Sequence, residues 1–160
     1  MKWYREAAQQ GSASSQYYLG TAYDKGQGVP QDHAEAEKWY RKAAEQGHAG
    51  AQCDLGVSYY NGQGVPQDYA EAVKWYRKAA EQGNAAAQFN LGVAYHNGQG
   101  VPRDYSLSYF WYSLSVSRST GGNYTKRAQY RDATAKKLTS GQLKKAQQMT
   151  KEWEAKRLGK

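Results

Sequence analysis

The sequence predicts an all-α chain of stacked helix pairs, and three observations predict it. Trp3, Trp39, Trp75 and Trp111 stand 36 residues apart. The stretch DHAEAEKWYRKAAEQG from Asp32 returns as DYAEAVKWYRKAAEQG from Asp68; a shortened copy, MKWYREAAQQG, comes before them and an altered one, DYSLSYFWYSLSVS from Asp104, after. A linker of the form GQGVPQD or GQGVPRD occurs three times, each time between two helical patterns. A fixed period of roughly 20–50 residues marks units that bury their apolar faces against one another.

Each complete unit pairs two helices. The first helices are expected at Ala13–Lys25, Ala49–Asn61 and Ala85–Asn97. Gly26, Gly62 and Gly98 follow them as stop signals, with Pro soon after. Gly supplies a left-handed end and Pro prevents continuation. Asp32, Asp68 and Asp104 then stand where an N-cap belongs, and Glu35 and Glu71 follow in a capping-box arrangement that the third copy lacks. Loss of one such cap costs ~1 kcal/mol. In the second helix Ala36, Trp39, Tyr40, Ala43 and Ala44 form an amphipathic stripe. In the first helix a glycine recurs mid-pattern, at Gly20, Gly56 and Gly92. An exposed mid-helix Gly costs about 1 kcal/mol against Ala, so its return in register implies that bulk is forbidden there. A ring from Trp39 or Tyr40, or from their equivalents, is expected against the bare backbone.

These residues carry a family resemblance. The pattern A-x-x-Q-x-x-LG-x-x-Y-x-x-G-x-GV-P-x-D-x-x-x-A-x-x-WY-x-x-A-A-x-x-G resembles the Sel1-like repeat, a relative of the tetratricopeptide repeat. Leu19-Gly20, Leu55-Gly56, Leu91-Gly92, Trp39-Tyr40 and Trp75-Tyr76 all match it. The resemblance covers residues 1 to about 118 and implies a right-handed α-solenoid that scaffolds protein–protein contacts without catalysis. Such proteins are abundant in bacteria, in signalling, envelope and host-interaction roles. The expected organisation is a half-repeat at 1–11, repeats at 12–47, 48–83 and 84–119, and a basic helical cap at 120–160.

The third second-helix departs from the pattern. Phe110 replaces Lys38 and Lys74, and Leu114 replaces Lys42 and Lys78, so with Leu107 an apolar stripe appears on a face that is charged in earlier copies. A helix with two apolar faces needs a second neighbour. The tail supplies it, with helices expected at 123–138 and 141–157, the latter opened by a Thr139-x-x-Gln142 capping box. Ala128 falls 36 residues after Gly92, so the first tail helix should take the next repeat's first-helix position. The opposite end begins inside a second helix, with Trp3 and Tyr4 on an open face. Further repeats, a partner or end-to-end self-association through that face are the expected ways to cover it.

Charge separates the body from the tail. Residues 1–119 hold eleven bases and eleven acids, and the remainder holds eleven bases against three acids, so the net +8 belongs to the cap. The single cysteine, Cys53, rules out an intramolecular disulfide or a Cys-based zinc site. No apolar run resembles a signal peptide or a membrane span, which favours a cytoplasmic over a periplasmic address.

Comparing copies separates packing from presentation. With Ala13 at zero and about 100° per residue, the recurring Ala13, Gln16, Leu19, Gly20 and Tyr23 fall on one arc. The positions that change fall on another: Tyr17/Cys53/Phe89, Tyr18/Asp54/Asn90, Thr21/Val57/Val93, Asp24/Tyr60/His96 and Lys25/Asn61/Asn97. In the resembling family the first helices line the concave side. The expected partner site is therefore Tyr17, Tyr18, Thr21, Asp24, Cys53, Asp54, Val57, Tyr60, Phe89, Asn90, Val93 and His96. Aromatic rings supply contact area there and the polar groups fix a backbone or amide. Tyr17 and Phe89, nearest the packing arc, also fit a core role.

No chemistry is expected. His33, His48 and His96 share no ligand spacing and no repeat position, the glycine loops lack a following Lys-Ser/Thr, and no G-x-S-x-G or S-x-x-K frames the serines. No metal and no cofactor is expected. The basic tail is the competing site: nucleic acid or anionic membrane is the alternative partner, against ordinary solvation of a capping helix. An inhibitor or immunity-type role, occluding a partner enzyme, would use the same concave surface as a scaffold.

Overall fold

A computed structural model describes residues 2–159, which are helical and without strands. The chain divides into two compact units, Met1–Asn84 and Ala85–Lys160.

The first unit holds α1 (Lys2–Gln9), α2 (Ala13–Lys25), α3 (His33–Glu45), α4 (Ala49–Asn61) and α5 (Tyr69–Glu81), each packed on the next in the chain through α1–α2, α2–α3, α3–α4 and α4–α5 contacts. The boundaries of α2 and α4 match those read from the sequence, because the signals that set them are local. Gly26 and Gly62 end them in the left-handed conformation, and the Asp32 and Asp68 side chains accept from the N–H of Glu35 and Glu71. The expected capping box forms only by half. The Glu35 carboxylate takes Lys38 Nζ at 3.0 Å and Glu71 takes Lys74 Nζ at 2.8 Å. The N-cap N–H is already engaged: Asp32 donates to the Tyr23 carbonyl and Asp68 to the Tyr59 carbonyl, both at 2.9 Å, which leaves each glutamate to a charge-assisted bond with the lysine one turn on.

The core of this unit gathers Ala36, Tyr40, Ala43, Ala44, Ala51, Leu55 and Trp75, flanked by Tyr17, Tyr23 and Tyr59. Small residues bring the helices close and rings fill what remains. The ring that meets the mid-helix glycine is the tyrosine, not the tryptophan: a Cβ on Gly20 would lie 2.6 Å from Tyr40 Cδ1, and one on Gly56 would lie 2.6 Å from Tyr76 Cδ1. Trp39 instead carries Lys42 over its face at 4.3 Å, and Trp75 carries Lys78 at 4.3 Å. The backbone of His33 closes on Gly64, whose φ of +76° also excludes a side chain, and this joins the second loop to the start of α3.

A polar ladder runs through this core. Gln16 Nε2 donates to the Ala8 carbonyl at 3.0 Å and Gln16 Oε1 accepts from Gln46 at 2.7 Å; one repeat on, Gln52 donates to Ala44 at 3.0 Å and accepts from Gln82 at 2.7 Å. Each buried amide thereby adds a second donor to a carbonyl at the end of the preceding helix, beside the N–H of Gly11 on Ala8 at 3.1 Å and of Gly47 on Ala44 at 3.0 Å.

The second unit holds α6 (Ala85–Asn97), α7 (Tyr105–Ser117), α8 (Gly121–Ala135) and α9 (Ser140–Leu158), with α7 packed on α6, α8 and α9. Tyr112 takes the place of Tyr40 and meets Gly92. Phe110 and Leu114 are buried, and α9 lies against α7 with Ala146 buried. The Thr139 capping box is complete: the Gln142 N–H donates to Thr139 Oγ1 at 3.2 Å and the Thr139 N–H to Gln142 Oε1 at 2.9 Å. Lys145 stands one turn on, but Gln142 is uncharged and stays with the cap. The helix α8 starts and stops two to three residues earlier than the pattern suggested, between Thr120 and Lys136. Its last turn gives way to backbone turns from Lys137 to Thr134 and from Leu138 to Ala135, which deliver Thr139 as the next cap.

Candidate functional site

A cleft of about 310 Å³ opens in the first unit between α2 and α4. Its lining comes from Tyr17, Thr21, Asp24 and Lys25 of α2, from Asp54, Val57 and Ser58 of α4, and from Tyr40 and Gln63. Helical spacing explains the α2 set: Tyr17, Thr21 and Asp24 lie at i, i+4 and i+7 and share a face.

Tyr17 is the hinge of the arrangement. Its ring lies 5.9 Å from that of Tyr40 and 5.9 Å from that of Tyr18, and stacks on His48 at 4.6 Å. Its hydroxyl donates to Asp54, and burial with that carboxylate beside it pushes the phenol up to about 12. Burial likewise raises the Asp54 carboxyl above the usual carboxylate range, opposed by the Tyr17 hydrogen bond. Asp24 has His33 beside it, with His33 Nδ1 at 3.0 Å from its Oδ1. The Thr21 hydroxyl donates to the Tyr17 carbonyl at 3.1 Å, and the Tyr40 hydroxyl reaches Thr21 Oγ1 at 3.5 Å.

The residues read from sequence as a contact strip divide three ways. Tyr17, Thr21, Asp24, Asp54 and Val57 meet in the cleft. Tyr18 stands open to solvent, with the Tyr4 ring at 5.6 Å, and Tyr60 lies at the other end of α4, edge-on to Tyr69 at 5.0 Å. Cys53 is buried. In the second unit Asn90 and Val93 are half-buried. There α8 covers two members: Tyr130 packs edge-on to Phe89 at 5.1 Å, and Thr134 Oγ1 lies 3.1 Å from His96 Nδ1. Two of the variable positions of α6, Phe89 and His96, thus meet α8.

Three lining residues lie outside the sequence reading, and a fourth, Lys25, stands among the changing positions but not in the expected site. Tyr40 is read from sequence as packing alone, and it serves as both core and cleft floor. Ser58 belongs to a position that is small in all copies (Ala22, Ser58, Ala94), and its identity varies while its size does not. Gln63 sits in a loop, where wheel geometry is uninformative. His48 has a role that spacing alone did not suggest: its Nδ1 accepts from the Ala51 N–H at 3.1 Å and so caps α4. Burial lowers its pKa, in keeping with a nitrogen that must stay unprotonated to accept. Among the described residues no three of His, Cys, Asp and Glu converge to hold a metal, and no helix is long and apolar enough to cross a membrane.

Comparison with known proteins follows the same lines. A family model described as Sel1 repeat matches residues 1–12, 13–48, 49–84 and 85–119. No curated protein matches. Among solved structures the chain is similar to c5321, a protective antigen present in uropathogenic Escherichia coli strains and displaying an SLR fold. That likeness has 34% identity and a TM-score of 0.72, and covers 95% of this chain and 40% of that one. It is also similar to a Sel1 repeat protein from Oxalobacter formigenes, at 40% identity and a TM-score of 0.69, over 77% of this chain and 49% of that one. The chain therefore spans less than half the length of either relative.

Proposed function

Since this chain belongs to the Sel1 repeat family, whose members generally scaffold protein interactions and are typically non-catalytic, we propose that it grips a partner protein, or an extended segment of one, along the variable side of its first helices. One observation carries this reading. The positions that differ between copies do not simply pack: in the first unit six of them line an open cleft of about 310 Å³. Side chains that change between otherwise identical repeats, and that line open space, are what a recognition surface is made of. Tyr18 beside the cleft and Tyr60 on the same helix as Asp54 add ring surface with little rotamer entropy to lose on binding.

The basic cap is the weaker alternative, because several of its bases are engaged within the chain. Arg127 lies over Phe89 at 5.8 Å, Lys137 over Tyr105 at 5.2 Å and Arg157 over Trp153 at 4.8 Å.

The experiment is capture and cross-linking of partners from source cells, followed by the same capture with Tyr18→Ala and Tyr60→Ala combined. Cross-links at α2 and α4, lost in the double variant while the melting temperature holds, are the expected result. Capture that survives the double variant, or cross-links confined to the lysines of α8 and α9, would overturn the reading.

A further inference from the structure

Within the cleft between α2 and α4 the charges do not balance. Asp24 and Asp54 face one ammonium, Lys25. Asp24 has His33 beside it, but Asp54 makes no ion pair among the described residues. The Tyr17 hydroxyl satisfies one of its lone-pair sites, and a carboxylate has about four. A half-buried carboxylate is stabilised by a cationic partner, and burial has already raised the pKa of this one, with Asp24 adding to the rise. An arriving cation would relieve both effects.

The walls suit a cation as well. The Tyr17 and Tyr40 rings stand 5.9 Å apart, inclined at 37°, and ring faces attract an ammonium or a guanidinium. The volume of about 310 Å³ lies at the bottom of the range for small-molecule sites, roughly 300–1,000 Å³, and fits one long side chain.

The second unit does not keep these features. Two repeats on, Asp24 becomes His96, Asp54 becomes Lys126 and Ser58 becomes Tyr130. The Tyr130 ring rests on Phe89 at 5.1 Å and on Tyr112 at 5.8 Å, filling the side that Ser58 leaves open in the first unit. An acidic cleft is thus particular to α2 and α4.

We infer that this cleft receives one basic side chain, a lysine or an arginine, carried by an extended segment of a partner protein, with the Asp54 and Asp24 carboxylates as its acceptors and the Tyr17 and Tyr40 rings as its walls. This rests on the groove reading above and names the chemistry that the groove selects.

The test is selection of a random peptide library on the whole chain, repeated on Asp54→Asn. Asparagine keeps the shape and an acceptor for the Tyr17 hydroxyl, and removes the charge. The expected outcome is enrichment of peptides that share a lysine or arginine. Synthetic copies of them should bind Asp54→Asn about tenfold or more weakly, and replacing the shared base by alanine should cost no more in the variant. If Asp54→Asn fails to fold, Asp24→Asn carries the same comparison. Peptides enriched without a shared base, or bound equally by the variant, would overturn the inference and leave the groove reading standing. No enrichment of any peptide would overturn both. Self-association of the wild type in sedimentation equilibrium, abolished by Asp54→Asn, would also overturn it, by giving the cleft to the basic tail of a second copy.

Discussion

The ring of Tyr76 occupies the space in which a β-carbon on Gly56 would stand, with its Cδ1 and Cε1 both 2.6 Å from that point. Tyr76 is itself buried, and the Ala72 carbonyl lies 3.2 Å from the same point, so neither neighbour has room to retreat. The contact recurs at Gly20 with Tyr40 and at Gly92 with Tyr112, and it sets how closely the two helices of every repeat approach.

Gly56→Val should therefore destabilise the chain by overpacking, by ~1–3 kcal/mol in urea unfolding. The cause can be isolated. In a Tyr76→Ala background the obstruction is gone, and Gly56→Ala should turn stabilising, by up to about 1 kcal/mol from helix propensity. Equal effects of Gly56→Ala in the two backgrounds would place the strain elsewhere.

The glutamine ladder makes a second prediction. Gln52→Ala removes one of the donors to the Ala44 carbonyl, which keeps the Gly47 N–H at 3.0 Å, and removes the acceptor of Gln82. Each lost hydrogen bond costs ~0.5–1.5 kcal/mol. Denaturant midpoints should fall accordingly for Gln52→Ala and less for Gln82→Ala, whose amide stands at the exposed end.

Asp54 should cost the chain stability near neutrality. Its folded pKa is raised by burial, so the folded state binds a proton more readily than the unfolded state. Stability from this group then rises as pH falls through the folded value, and the cost is fully felt well above it. Asp54→Asn should accordingly leave the melting temperature unchanged or higher at pH 7, with any gain shrinking in acid. A lower melting temperature at pH 7 would mean that the carboxylate charge supports the fold.

His96 has the opposite sense. Burial, then Lys137 and Arg103, lower its pKa from the ordinary 6.5. Its ring faces Tyr105 at 5.1 Å and Thr134 Oγ1 at 3.1 Å, and the Thr134 hydroxyl donates to the Tyr130 carbonyl at 2.9 Å. Below 6.5 the unfolded chain takes up the proton first, so stability falls as pH drops from there toward the folded value. Protection of α8 from hydrogen exchange, taken relative to the intrinsic rate at each pH, should fall between pH 7.5 and pH 5, and His96→Gln should flatten that dependence. Unchanged protection of α8 across this range would sink the prediction.

What could be read from the chain and what could not divides along physical lines. The 36-residue period, the ends of α2, α4 and α6, the Thr139 capping box and the apolar substitution at Phe110 and Leu114 were all legible. Each depends on groups within a turn or two of one another, or on repetition that makes three copies report the same constraint. That Tyr17, Thr21 and Asp24 share one face of α2 was legible too, since wheel geometry orients a side chain relative to its own helix.

The tertiary structure decided which ring meets the glycine, that Glu35 serves Lys38 rather than the cap, that Asp54 is half-buried beside the Tyr17 hydroxyl with no ion pair, and that Tyr130 covers Phe89. These outcomes turn on competition between partners, or on distances between residues on different helices. A wheel shows where a side chain points and is silent on what has arrived to meet it.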